Sequence, residues 1–517
     1  MNVKFKDLII GNTDARSEVN LKSPKSIENF RSVFIQPDGF DVDDFLTGKR
    51  VFVYGLKGIG KTAVLLFVAA KAQETKQVEF IYFRSELSEE DRTYFNVLTM
   101  YKIENKDIAS FQDFELLWQW FLMRKFGEIN QNKRLFQDND NLRRFNKHLF
   151  SVDVDKTKDG IRKLIPRITG GKVALNIKDI VKAQLDFVVE AKEGNRIEFS
   201  ELVDVCKRHF LRLVPTRPVS LFVDELELTK LDEQRFTRDS ALVRDLIVSV
   251  KKMNQKFIEL QWPINIICAV RSEVLKSVGF MGKEILKDFE DIGLHLNWHR
   301  YDKTKINHPL SKLLISKIRL SEVTKHGGSD DHDIQIWKRY FPETLYGKKT
   351  VHYILNSTWY RPRDIIRILR RAKEAAANET YFDERVFDLI RKDYSKFAWI
   401  EMREELNVKY SAHDLDAIER ILLGFQAHFN FNQFKSRVDH MSIHNLRIKR
   451  LAEVWSLEDV LGKLYEVGAL GNYYQSMNEK RQYVLMGRFA FRGDDVLLVE
   501  EEMMVHPALR PYFSLLH

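Results

Sequence analysis

The chain is poor in cysteine, proline and long apolar runs, and each shortage excludes a class of protein. Its 517 residues contain two cysteines, Cys206 and Cys268, far apart in sequence. Two thiols cannot build a disulfide framework or a cysteine zinc site, and this usage suits a reducing, cytoplasmic setting. Eleven prolines and 23 glycines are too few for a collagen-like or low-complexity chain. The apolar run Ala63 to Ala70 falls far short of the roughly 20 residues that a bilayer span needs, so no membrane partner is expected. The opening MNVKFKDLII has no long apolar stretch leading to a small-residue cleavage site, so a secretory leader is not expected.

What remains is a chain with 44% hydrophobic and 30% charged residues, enough to bury a large core in two or three domains. The net charge of +9, from 83 basic and 74 acidic residues, is a mild excess. It permits an anionic partner such as DNA and does not require one.

The stretch VFVYGLKGIGKTAVLLFVAAKA, residues 51 to 72, fits G-x-x-x-x-G-K-[ST] as Gly55-Leu56-Lys57-Gly58-Ile59-Gly60-Lys61-Thr62. Glycines let successive backbone N–H groups turn toward phosphates without a Cβ in the way. Lys61 is placed to reach the β- and γ-phosphates of ATP, the Thr62 hydroxyl to ligate Mg²⁺, and Ala63 opens a helix whose positive end faces the anion. A buried-strand pattern precedes the loop and helix formers follow it, which is the context this motif requires. The alternative is a plain glycine turn.

A loop of this kind needs an acid on a neighbouring strand, and PVSLFVDELEL (residues 218 to 228) offers one. Val219 to Val223 read as a buried parallel strand, with Asp224 and Glu225 at its carboxyl end, where ligands of open α/β sheets bind. Asp224 is the candidate for Mg²⁺, and Glu225 for orienting or deprotonating the attacking water. Alone, such a pair is commonly a helix N-terminal charge. A third strand, Ile264 to Val270, follows a helical stretch around Arg244 to Phe257 and ends in Arg271-Ser272-Glu273. Arg271 is a candidate sensor of the γ-phosphate; pairing with Glu273 or capping the sheet is the other reading. Further on, WYRPRDIIRILRRAKEAA starts at Trp359, with Pro362 suited to a first helical turn. Ile365, Ile366, Leu369 and Ala372 form one face, and Arg363, Arg367 and Arg370 an opposing basic one. Arg361 or Arg363 could reach the nucleotide with Pro362 against the adenine, whereas Arg367 and Arg370 read as a solvated face.

In this order, the phosphate loop, VDELE, AVR and a helix opening with RPRD resemble the AAA+/STAND branch of P-loop ATPases. More narrowly, the chain is similar to a bacterial STAND-like family of soluble proteins, some linked to phage defence. GNTDARSE (Gly11 to Glu18), LYEVGALG (Leu464 to Gly471) and HPALRPYF (His506 to Phe513) extend the resemblance over nearly the whole sequence. It implies that Gly55, Gly58, Ile59, Gly60, Lys61, Thr62 and Ala63 bind ATP, that Asp224 and Glu225 serve Mg²⁺ and hydrolysis, and that Arg271 reports the γ-phosphate. It further implies that the Arg361-Pro362-Arg363 helix closes on the nucleotide. Two departures stand out. Arg361 precedes the proline where many STAND proteins carry a glycine two residues before it, and the second strand, near VEFIYFRSE, offers no Asn to control the glutamate.

The expected architecture is an α/β P-loop NTPase parallel sheet with a helical insertion, a helical lid and a C-terminal winged-helix-like domain. Residues 1–45 read as a lead-in, 46–300 as the ATPase core with a helical insertion at 105–215, 301–405 as the lid, and 406–517 as the winged-helix-like part. Within these, Glu322 to Asp333 reads as an exposed loop and DVLLVEE (residues 495 to 501) as a short strand. Helix Leu457 to Leu470 carries Glu458, Asp459 and Glu466 against Lys463, an acidic surface that repels phosphates, so a protein partner or self-association is favoured over DNA. The basic patch Ile443 to Arg450 keeps open the alternative of an ATP-dependent DNA-binding clamp or loader. No nuclease, protease or deaminase motif is apparent, so an effector activity would come from a partner.

Overall fold

The computed structural model describes residues 2–82, 114–149, 152–156, 162–166, 199–226, 233–272, 274–275, 285–300, 306–327, 331–407, 409–477, 483–493 and 496–515. Phe83, Glu273 and part of the expected insertion, including the periodic stretch 177–192, lie outside the described residues.

The chain enters through α1 (Ala15–Glu18), whose cap Asp14 accepts the Arg16 N–H, and α2 (Pro24–Val33), opened by Pro24 and capped by Ser23. Then come β1 (Phe52–Gly55), α3 (Lys61–Ala72) and β2 (Gln77–Tyr82), followed by the long helix α4 (Glu115–Lys133). The strand bearing the acid pair is β3 (Val219–Leu226), succeeded by α5 (Glu233–Glu259), β4 (Ile264–Arg271) and β5 (Gly293–His295). These five strands form one wholly parallel sheet in the order β2–β3–β4–β1–β5. Parallel neighbours need crossover connections, which the intervening helices supply. Because β4 sits between β1 and β3, Gly55 lies opposite Arg271 and Val223 opposite Cys268. The glycine loop and the acid pair thus open at the same carboxyl edge.

The sequence of β4 explains its central place. Ile264 to Val270 are all buried, and apart from Asn265, whose amide is bonded to Ser220 and the Phe45 carbonyl, the run is apolar, as a strand covered on both faces requires. The two faces still alternate. Phe222, Ile267 and Ala269 join a core with α3, while Leu221, Val223, Ile266 and Cys268 join one with Trp118, Phe210 and Phe257. Both cysteines are free and buried, and burial pushes the Cys206 thiol up to about 12.

Beyond the sheet, α6 (Pro309–His326), α7 (Pro362–Ala375) and α8 (Glu384–Leu406) pack above its carboxyl edge. The chain finishes with α9 (Ala412–Leu422), β6 (His428–Phe429), α10 (Phe431–Ser442), α11 (Leu446–Val454), α12 (Leu457–Glu466), β7 (Leu470–Met477), β8 (Tyr483–Arg488) and β9 (Met503–Val505). The last four strands make an antiparallel sheet in the order β6–β9–β7–β8.

Four expectations are corrected. Residues 496–498 are not strand; the third long-range partner is β9 instead, whose Met503 and Val505 are fully buried against β7. Glu322 to His326 are not loop but the end of α6. Glu322 is buried there because Arg339 and the Tyr340 hydroxyl compensate its carboxylate at 2.8 to 3.0 Å. Residues 1–45 are no mere lead-in: Val3 and Phe5 are fully buried, Val3 N–H donates to the Tyr340 hydroxyl, and Phe5 stacks on Phe382 at 4.2 Å. Arg367 is not solvated, since Asp364 at 2.6 Å and Glu401 at 2.7 Å hold it inside.

Phe222, fully buried in β3 and stacked on Phe80 with ring centroids 4.9 Å apart, tests the sheet's role. Phe222→Ala is expected to destabilise the fold by about 3–5 kcal/mol, as large-to-small core changes do. A shift of the urea midpoint without a large change of slope would show it.

Candidate functional site

The loop between β1 and α3 is shaped by its glycines. A Cβ at Gly55 would stand 2.9 Å from the Leu296 carbonyl oxygen, and Gly60 sits at φ +104°, where a side chain is strained. Gly60 caps α3, so the first N–H groups of a twelve-residue helix point into the space above the loop. Such a terminus favours an anion. Lys61 folds over the loop, its Nζ donating to the carbonyls of Gly55 at 2.9 Å and Leu56 at 2.8 Å. Ile59 is buried, and its carbonyl accepts the Trp298 indole N–H at 2.9 Å, which fixes the loop from beneath.

One residue further, the Thr62 hydroxyl donates to Asp224 Oδ2 at 2.8 Å. This joins α3 to the end of β3, across the intervening β4. The Asp224 carboxyl is buried, and burial raises its pKa against the opposing pull of Thr62, the Glu225 N–H and Lys61. The same Asp224 accepts the backbone N–H of Glu225 at 2.8 Å, and Glu225 takes a left-handed φ of +62°. The strand register shifts between Val223 and Leu226. Strain of this kind in a non-glycine residue costs on the order of 1–3 kcal/mol and clusters at functional positions. Here it turns the Glu225 side chain out of the sheet. Arg271, from the end of β4, lines the same cleft.

That cleft holds about 900 Å³. Gly58, Gly60, Lys61, Thr62, Ala63 and Asp224 form its polar floor. Val33, Phe34, Ile35, Leu310, Leu313 and Ile366 supply an apolar wall beside it. A polar, anion-favouring floor next to an apolar slot suits a ligand with an anionic end and an apolar one. The acidic, hydroxyl and amide groups at the floor also suit a hard divalent cation held through Thr62 and Asp224 with water.

The N-terminus of α7 closes over the loop. Arg363 N–H makes a long 3.4 Å contact with the Gly58 carbonyl, and Pro362 lies near Gly60. Arg361 is buried against Gly58 and is not on the cleft wall, whereas Pro362 and Arg363 are. The candidate residues therefore converge, with Gly55, Ile59 and Arg361 as the frame and the others facing the cavity.

Sequence reasoning passed over a charge network that ties loop to lid. Lys57 Nζ lies 3.8 Å from Glu401, 3.7 Å from Glu404 and 3.8 Å from Glu405. Glu401 also pairs with Arg363 at 3.0 Å and Arg367 at 2.7 Å. The signal was present: EMREEL sets three carboxylates at i, i+3 and i+4 on one helix face. Burial works against the Glu401 carboxylate, yet Arg367, Arg363 and Lys57 prevail and hold it down at about 2. Burial pushes Asp364 up to about 6 despite Arg367.

Because the Glu401 pKa is below the 4.5 of the unfolded chain, its stabilisation is complete above pH 4.5 and is lost as pH falls toward 2. Asp364 works oppositely: its neutral form favours folding, and that contribution fades as pH rises through about 6. Glu401→Gln is expected to lower stability at pH 7 by about 1–3 kcal/mol, since it leaves partly buried cations unpaired. The gap between variant and wild type should shrink in urea titrations as pH is taken below 4.5.

In the C-terminal part, Arg447 is held by Asp416 at 2.9 Å and Lys449 by Glu453 at 3.9 Å, while Lys463 on α12 pairs with Glu466. No helix among the described residues is long and apolar enough to cross a membrane. Residues 309–403 match a family model described as the FunZ-associated C-terminal helical domain, a match that spans α6, α7 and most of α8. No curated protein and no solved structure matches the chain.

Proposed function

We propose that the chain is an ATP-binding and hydrolysing molecular switch, a P-loop ATPase of the AAA+/STAND kind. The observation that carries this reading is the Thr62–Asp224 hydrogen bond of 2.8 Å at the mouth of a left-handed glycine loop. A hydroxyl and a carboxylate held together there are the two protein ligands a nucleotide-bound Mg²⁺ needs. The apolar slot beside the floor suits a nucleobase.

In this reading the α3 N-terminus and Lys61 receive the phosphates, Lys61 leaving its two loop carbonyls to do so. Bound Mg²⁺ supplies neutralisation of the charge that develops on the transferred phosphoryl group. Glu225, aimed out of the sheet beside Asp224, orients a water for attack and takes its proton, so that ATP and water become ADP and phosphate. Arg271 faces the same cavity from β4 and serves the terminal phosphate. Lid closure registers the nucleotide through Pro362 and Arg363, and the C-terminal domain passes the state to a protein partner or a second copy. The alternative, an ATP-dependent DNA clamp, is the weaker reading because α12 carries Glu458, Asp459 and Glu466 against the single cation Lys463.

Lys61→Ala is expected to abolish ATP binding, measured by titration calorimetry. Glu225→Gln is expected to keep binding and lose about 10²-fold or more in turnover, the usual scale for a positioned base. Normal hydrolysis by Glu225→Gln would remove the assignment of the base. Turnover raised by duplex DNA would favour the clamp.

A further inference from the structure

The carboxylate assigned as the base is not free in this structure. Arg16 Nη1 lies 2.9 Å from Glu225 Oε1, a pair spanning 209 positions of sequence. The Arg16 guanidinium also lies flat over the Tyr82 ring, 3.6 Å from its centroid. Tyr82 ends β2 directly opposite Asp224 on β3. The arginine is therefore seated on one strand end and bonded to the next.

Arg16 reaches this place because α1 is fastened at both ends. Asp14 caps the helix, its carboxylate accepting the Arg16 N–H at 3.0 Å. Two residues beyond Arg16, Glu18 pairs with the buried Lys317 of α6 at 2.5 Å. Gly11, at a φ of +84° that a side chain would strain, packs directly against the Glu18 carboxylate. The four-residue helix thus bridges the catalytic edge of the sheet and the helix that forms the opposite cleft wall. Asp14, Glu18 and Lys317 themselves line the cleft.

We propose that Arg16 is a positioning residue that holds Glu225 in a resting orientation, and that α1 is the restraint by which the position of α6 controls hydrolysis. The inference rests on the ATPase reading above. The carboxylate oxygen bonded to the guanidinium is occupied, so Glu225 must leave Arg16 to present it to water. The strength of the hold fits a switch. Both side chains are partly exposed, 41% for Arg16 and 26% for Glu225, so the pair is of the weak surface kind, reinforced by the ring contact. Glu18 fixes the bridge to Lys317 of α6, so a shift of α6 would draw Arg16 off Glu225. Tyr82 supplies what the second strand lacked in its sequence: it offers the glutamate no amide, but gives its keeper a ring to rest on.

The test compares wild type, Arg16→Ala and Arg16→Lys by steady-state ATP hydrolysis, by ATP titration calorimetry and by carbodiimide labelling of Glu225 read by mass spectrometry without nucleotide. Arg16→Ala is expected to label Glu225 faster and to raise kcat about three- to tenfold, the range a weak pair plus a ring contact controls. KM and ATP affinity should stay within about twofold, because α1 adds no ligand to the phosphates in this reading. Arg16→Lys, which keeps the charge, should restore most of the protection and most of the low rate. Equal labelling in wild type and Arg16→Ala would overturn the pairing, and a kcat unchanged or lowered in Arg16→Ala would overturn the restraint. A wild-type chain that binds no ATP at all would overturn the ATPase reading and the restraint with it, an outcome calorimetry separates from the others.

Discussion

Placing a carboxylate inside the end of a buried parallel sheet is the constraint around which this molecule is arranged. Asp224 ends a strand whose apolar residues are covered on both faces, and an uncompensated charge there would cost several kcal/mol. Compensation comes from three directions: the Thr62 hydroxyl, the Glu225 backbone N–H and the positive field of Lys61. Each donor constrains its own element. Thr62 fixes the first turn of α3 against β3, and with it the glycine loop. The Glu225 N–H holds that residue in the left-handed region, which ejects its side chain toward the cleft. The burial of Asp224 therefore sets the loop, the helix and the outward glutamate together.

A second set of charges fixes the cover to this floor. Lys57 projects from the loop into a ring of three carboxylates on α8, and Glu401 is shared between Lys57, Arg363 and Arg367. The shared acid means that none of these cations can move without leaving another less well paired. Such coupling makes lid docking cooperative rather than a sum of independent contacts. It also seats the N-terminus of α7 at Gly58, because Glu401 of α8 holds both Arg363 and Arg367 from across the helix pair.

The parts of the site that the sequence displayed are those written in local chemistry. The glycine loop, the acid pair after Val223 and the helix-opening Pro362 are each contained in a dozen residues, and a run such as Ile266 to Val270 declares its own burial. What it concealed depends on partners far along the chain. Arg367 read as a surface charge because nothing nearby reveals Glu401 beneath it, and Glu322 read as loop because its compensating Arg339 lies beyond a turn. Asn12 to Glu18 looked like a lead-in, yet they reach the cleft only because Lys317 and Glu225 wait some 200 to 300 positions later. DVLLVEE alternates as a strand should, but the position beside β7 is taken by β9, with Met503 and Val505 fully buried between β6 and β7. Periodicity reports what a segment could do, and burial decides which of two competing segments does it.

The path from the loop to the C-terminal domain is short, and its geometry dictates how a change at one end is felt at the other. Trp359 and Tyr360 are consecutive non-glycine residues at φ +46° and +53°, two left-handed steps immediately before the helix that touches Gly58. Their strain is sustained by contacts from the far domain. The Trp359 indole donates to the Gly468 carbonyl at 2.9 Å and stacks on His506 at 4.1 Å. Burial, with Arg492, Arg510 and Arg361 nearby, keeps His506 well below its ordinary pKa, so a neutral imidazole meets the indole ring. A turn held in a costly conformation by one partner cannot stay there when that partner withdraws. Trp359 therefore ties the turn that precedes α7 to Gly468 and His506, so the segment that meets Gly58 and the C-terminal part of the chain share one set of contacts.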